Sequence, residues 1–74
     1  MSRLELNVRR LLCPLPVIRT QDKVKTLSTG DILTVTGTDP GLMQDIPAWC
    51  RINGHQVLDS LTNNGEYTIV LQVS

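Results

Sequence analysis

The sequence predicts an α/β fold: a two-layer α/β sandwich of order βαβαββ, with a mixed four-stranded sheet and two helices on one face. Three observations predict it. Leu4, Leu6 and Val8 alternate with polar residues, as do Tyr67, Ile69, Leu71 and Val73 near the other end. Such alternation marks strands with one buried face. Asp31-Ile32-Leu33-Thr34-Val35-Thr36 is rich in β-branched residues and reads as a further strand. Between these lie two stretches with apolar residues at helical spacing.

The 74 residues suit one domain spanning 1–74. With 41% hydrophobic residues the chain can form one compact core. The formal net charge is zero, which lacks the basic footprint of a nucleic-acid binder. No apolar run approaches the ~18 residues of a membrane span. The polar, alternating start is unlike a signal peptide, so a cytoplasmic location is expected. Two cysteines in a cytosolic chain argue against a structural disulfide. With His55 as the single histidine they are too few for a zinc site. No metal, no cofactor and a monomeric state are the expectation.

The first helix is expected from Pro14 to about Thr26, with Val17, Ile18, Gln21 and Val24 as its inner stripe and Leu27 closing it. Gly30 suits the left-handed residue that ends it. Strand, helix and strand with short links make the first two strands parallel. Thr38-Asp39-Pro40-Gly41 reads as a turn or a helix start, with Asp39 able to cap and Pro40 able to follow. Leu42, Met43, Ile46, Trp49, Cys50 and Ile52 share a helical pattern interrupted by Pro47. The main second helix is therefore expected from about Asp45 to Asn53, preceded by a separate turn. Gly54 stops it. A third strand is expected over 55–61, and Asn63-Asn64-Gly65 signals a hairpin.

Leu11-Leu12-Cys13-Pro14-Leu15-Pro16-Val17 is the stretch that carries chemistry. Proline lacks an N–H and suits the first turn of a helix, where that donor has no partner. Pro14 fits the first helical position, Pro16 the third, and Cys13 the N-cap. The residue before a proline is steered to an extended conformation, which works against a helical Leu15. A thiol at a helix N-terminus sees the positive end of the peptide dipoles, and thiolate is the nucleophilic form. Arg9 and Arg10 lie close in sequence and could add to that effect or contact an acidic partner or an anionic sulfur species. The expectation is a Cys13 that titrates below the ordinary ~8.5. The competing reading is a small buried hydrophobe before a helix. Cys50 sits on the apolar stripe of the second helix, where core packing is expected; the other possibility is a resolving cysteine for Cys13. Trp49 fits the core or a partner anchor, and His55 reads as a surface or hydrogen-bonded histidine. No general base, carboxylate pair beside the cysteine or phosphate loop is evident. A nucleophilic thiol without acid–base machinery suggests a carrier that works between partner enzymes.

Cys13-Pro14-Leu15-Pro16 resembles the Cys-Pro-x-Pro signature of the TusA-like (SirA-type) sulfur carriers. The segment from Thr38-Asp39-Pro40-Gly41 through Asp45-Ile46-Pro47-Ala48-Trp49-Cys50-Arg51 resembles that family's second-helix region. The resemblance implies that Cys13 carries sulfur as a persulfide. It also implies a donor enzyme of the cysteine desulfurase or rhodanese type and an acceptor relay protein, in tRNA thiolation or dissimilatory sulfur oxidation. The family's usual Asp-x-Arg-Gly-Leu reads Asn7-Val8-Arg9-Arg10-Leu11 here, so a carboxylate and a glycine are replaced. Leu15 gives the site an apolar shoulder suited to a partner surface. Two other functions compete: a regulatory or interaction module without sulfur transfer, and a thiol redox protein using Cys13 and Cys50.

Overall fold

A computed structural model describes residues 2–74. The elements run β1 (Arg3–Val8), α1 (Leu15–Val24), β2 (Ile32–Gly37), α2 (Leu42–Asn53), β3 (Gln56–Asn63) and β4 (Glu66–Gln72). This is the βαβαββ order read from the sequence. The strands form one mixed sheet in the order β1-β2-β4-β3. β1 and β2 are parallel, with Val8 opposite Gly37 at their C-terminal ends. The other two pairings are antiparallel. A parallel pair needs a crossover, and α1 supplies it.

The alternation in the strands sets what is buried. Val8, Leu33, Val35, Ile69 and Leu71 meet Val24, Leu42, Ile46 and Cys50 in one core cluster. Cys50 is fully buried, the core placement expected of it. Trp49 packs against the core edge with its ring 5.1 Å from that of His55. α1 presents a different stripe from the expected one. Pro16, Thr20 and Val24 are buried, while Ile18 and Gln21 are exposed and Val17 is half-buried. The reason is that the helix accepts a polar residue inward. The Thr20 hydroxyl donates to the Pro16 carbonyl at 2.8 Å, so its burial leaves nothing unpaired.

Two helix starts differ from the sequence reading. α1 begins at Leu15, with Pro14 as its N-cap and Pro16 in the second position. Cys13 therefore lies one residue before the cap. The Leu15 N–H donates to the Leu12 carbonyl at 2.9 Å, a turn that carries the chain into the helix. The far end closes with short bonds from Thr26 to Lys23 and Leu27 to Val24, and Gly30 takes φ +94° as expected. α2 begins at Leu42 rather than near Asp45 and continues through Pro47. Proline there removes one intrahelical donor. Burial of Leu42 and Ile46 on the same face opposes that loss. β3 is one long edge strand, irregular between Val57 and Asp59.

Gly37 sits where the sheet and α2 approach closely. A Cβ there would lie 2.6 Å from Leu42 Cδ1 and 2.9 Å from Val8 Cγ2. Both neighbours are buried side chains with no room to swing away. Gly37→Ala is expected to destabilise the chain by about 1–3 kcal/mol through overpacking. Urea unfolding measures this, and an unchanged midpoint would show that the layers can separate freely.

Candidate functional site

Parallel pairing of β1 and β2 puts their C-terminal ends side by side. The loops that follow, residues 9–14 and 38–41, are therefore neighbours, and Cys13 lies where they meet. Asp39 makes the junction. Its Oδ2 accepts the Cys13 backbone N–H at 2.7 Å and its Oδ1 accepts the Gly41 N–H at 3.1 Å. The Leu42 N–H donates to the Asp39 carbonyl at 3.0 Å, so the same residue starts the turn into α2. Asp39 thus organises the entry to α2, though Gly41 holds the cap position.

The Cys13 sulfur faces two carboxylates. A Cβ built on Gly41 would lie 3.2 Å from Cys13 Sγ and 3.5 Å from both Asp39 Oδ1 and Asp45 Oδ2. Hydrogen bonds from the thiol to Asp45 and then Asp39, with some desolvation, push its pKa up to about 12. The expected thiolate at a helix start is therefore corrected. The dipole of an exposed helix terminus is worth only about 0.3–1 kcal/mol, and two adjacent carboxylates outweigh it. Those same contacts hold Asp39 below the usual carboxylate range: the Cys13 thiol first, then the N–H groups of Cys13 and Gly41. Cys13 is half-buried, on an open surface without an enclosed pocket among the described residues. Leu12 and Leu15 beside it are exposed, at 72% and 44%.

The arginines do not join the sulfur. Arg9 turns away to Glu66, with Nε to Oε2 at 2.7 Å and Nη2 to Oε1 at 3.1 Å. Arg10 sits at φ +68°, the left-handed region that glycine adopts without cost. Its N–H donates to Thr38 Oγ1 at 3.0 Å, which holds the two loops together. Asn7 caps the same turn, accepting the Arg9 N–H at 2.9 Å. Of the residues singled out, Cys13, Pro14, Leu15 and Pro16 are thus contiguous at the site. Arg9 is directed elsewhere, and Arg10 contributes through its backbone.

Cys50 is remote. It lies nine residues along α2 from Gly41, about 13 Å at the helical rise, whereas a disulfide needs Cα atoms within about 7 Å. Both cysteines are free. Among the described residues no three His, Cys, Asp or Glu side chains are arranged to hold a metal ion. The residues missed in the sequence are Asp39, as an anchor of Cys13, and Asp45. The signal that could have found them is topological: successive loops after parallel strands converge at one edge of the sheet.

Both thiols hold their protons more tightly in the folded chain, Cys50 at about 11 through burial and Cys13 at about 12. Their contribution to stability is therefore complete below the ordinary value near 8.5 and is lost as pH rises toward those values. Between pH 8.5 and 11 the wild type is expected to lose more stability than Cys13→Ser. Urea midpoints across that range measure it, and parallel slopes would contradict the raised Cys13 value.

A family model described as "Sulfurtransferase TusA" matches residues 4–73. The chain is 31% identical over 70 residues to the sulfur carrier protein TusA of Allochromatium vinosum, covering 95% of this chain and 92% of that one. It is 42% identical over 67 residues to a Neisseria meningitidis serogroup B protein named "Putative sulfur carrier protein", covering 90% of each. A Bacillus subtilis protein with the same description is 38% identical over 61 residues, covering 82% and 80%. None of the helices is long and apolar enough to cross a membrane among the described residues. By the extent of the match and the identity to its relatives, the chain belongs to the TusA sulfurtransferase family.

Proposed function

We propose that this protein is a cytoplasmic sulfur carrier. Cys13 accepts sulfane sulfur as a persulfide and passes it to an acceptor protein in a relay, serving tRNA thiolation or dissimilatory sulfur oxidation. The observation that supports this best is the placement of Cys13. It is a free thiol on an open surface, at the converging ends of β1 and β2, with exposed Leu12 and Leu15 beside it. Cys50, its one rival, is sealed in the core.

An open surface suits exchange between macromolecules, since a partner's face must supply the rest of the site. Leu12 and Leu15 are the apolar rim on which a donor or acceptor docks, and docking removes water from the reacting sulfur. Pro14 and Pro16 fix the backbone on either side of Leu15 and so hold the rim in place. Arg10, exposed in the loop that leads to Cys13, is available to an acidic group on a partner's surface. Arg9 has its own carboxylate in Glu66 and contributes to the shape of the loop. The donor is an enzyme of the cysteine desulfurase or rhodanese type, and the carrier works with it as a monomer. Direct RNA contact is not part of this reading, because a chain of zero net charge lacks the overall positive charge that favours phosphate binding.

In the transfer, the Cys13 thiolate attacks the outer sulfur of the donor's persulfide. A bond forms between Cys13 Sγ and that sulfur as the donor's own S–S bond breaks. The donor leaves as a thiolate and takes up the proton that Cys13 has lost. Thiol and persulfide exchange places with no net oxidation. Delivery repeats the step with the acceptor's thiolate attacking the outer sulfur on Cys13.

The experiment is loading by a cysteine desulfurase with cysteine, read by intact mass. Wild type is expected to gain about 32 Da, removable by reductant, as a persulfide. Cys13→Ser should gain nothing. Cys50→Ser should load while losing about 1–3 kcal/mol of stability from a buried hydroxyl. Loading that persists in Cys13→Ser, or disappears in folded Cys50→Ser, would overturn the assignment.

A further inference from the structure

We infer that the outer edge of β3 is a pairing surface for a second copy of this chain, and that Asp59 keeps it closed. That edge lies across the sheet from β1 and from the loop that carries Cys13.

β3 ends the β1-β2-β4-β3 sheet, so its eight residues pair with β4 on one side only. All of them except Val57 are exposed. The hairpin decides which peptide groups face away from β4. Asn64 and Gly65 form a two-residue turn with positive φ at both, +51° and +79°. Asn63 and Glu66 therefore close the ladder as a hydrogen-bonded pair. Bonded and non-bonded pairs alternate along an antiparallel ladder. Leu61 with Thr68 is then bonded, whereas Thr62 with Tyr67 and Ser60 with Ile69 are not. The N–H and C=O groups of Ser60 and Thr62 point outward, where a further strand adds.

The rest of the edge suits addition. β3 reads Gln-Val-Leu-Asp-Ser-Leu-Thr-Asn, with no lysine, no proline and one charge, Asp59. Leu61 is 55% exposed and lies on the sheet face away from the helices, in line with Thr68 and Thr36. A second β3, antiparallel about a two-fold axis at Leu61, sets Ser60 against Thr62 of the other copy and Thr62 against its Ser60. Four ladder bonds form, and the two Leu61 side chains cover each other. The opposite edge, β1, is shorter and carries Arg3 and Glu5, charges that discourage strand addition. Pairing of β3 with β3 is therefore symmetric and stops at two copies.

Asp59 opposes this in two ways. Its Oδ1 accepts the Ser60 N–H at 2.8 Å, and two of the four ladder bonds need that donor. Its carboxylate also stands beside the seam, where an added strand strips its water. The register slips between Val57 and Asp59, which leaves Leu58 without a partner in β4 and bends the strand just before the guarded position. One strand edge is a small interface beside the ~1,200 Å² of a stable complex, so a single side chain decides whether it forms. With Asp59 in place the chain stays the monomer proposed above.

The test is sedimentation equilibrium of wild type, Asp59→Val and Asp59→Ala. Both variants should associate at least about tenfold more strongly than wild type, as expected from two regained ladder bonds. The product should have twice the 8.2 kDa mass of the chain. Asp59→Ala keeps the measurement decisive if the valine variant does not fold. Hydrogen exchange at the Ser60 and Thr62 amides should slow as the concentration of either variant rises. Adding Ser60→Pro to Asp59→Val should restore the monomer, because proline has no N–H and is tolerated on an edge strand. Equal association of wild type and a folded Asp59 variant overturns the inference. So does a dimer that persists with Ser60→Pro, or one that leaves exchange at Ser60 and Thr62 unchanged, since it uses another surface.

Discussion

The site depends on one carboxylate. Asp39 accepts the N–H of Cys13 and the N–H of Gly41, and so ties the loop after β1 to the loop after β2. Without that bridge Cys13 would belong to a six-residue loop with few other anchors. With it, Cys13 is fixed against the start of α2, and the two helices and two parallel strands share one edge. The bridge itself is possible because β1 and β2 are paired residue for residue up to Val8 and Gly37. Packing sets that register: Gly37 has no side chain, and Leu42 and Val8 close over it.

The electrostatics of the site are a contest between a helix terminus and two side chains. A sequence that places a cysteine before Pro-Leu-Pro invites the helix dipole as the ruling influence. Cys13 lies one residue outside the cap, and Pro14 and Pro16 bring no donors of their own. The dipole is weak at such an exposed point. Carboxylates in hydrogen-bonding contact are stronger, and they favour the neutral thiol. The same cysteine is a good nucleophile in type and a guarded one in setting. A carrier that meets several proteins gains from such restraint, because a sulfur that reacts on contact with any electrophile cannot be handed on selectively.

Much of the fold was legible because its signals are local. Period-two alternation exposed β1 and β4, and Asn64-Gly65 exposed the hairpin between β3 and β4. The burial of Cys50 followed from its place four residues after Ile46. Pro47 misled the reading of α2, since proline suggests a break. The structure tolerates one missing donor because the apolar face of α2 is packed along its length. The inner stripe of α1 was misjudged at Thr20, whose hydroxyl is satisfied by Pro16 and therefore costs little to bury. The candidate site was half legible. Cys13 and its prolines are contiguous and announce themselves. Asp39 and Asp45 lie in a segment that only tertiary structure brings to the sulfur, and their composition looks like an ordinary helix start. Arg10 holds a left-handed backbone, at φ +68°, which it adopts less readily than the glycine that the sequence resemblance leads one to expect there.

In the proposed relay the chain carries sulfur on Cys13 and nowhere else. Trypsin separates the two cysteines, leaving Cys13 in residues 11–19 and Cys50 in residues 26–51. Peptide mass spectrometry of the wild-type protein after loading, with persulfides trapped by alkylation, locates the added sulfur without any substitution. The extra ~32 Da is expected on residues 11–19 alone. Sulfur on residues 26–51, or divided between the two peptides, would contradict it.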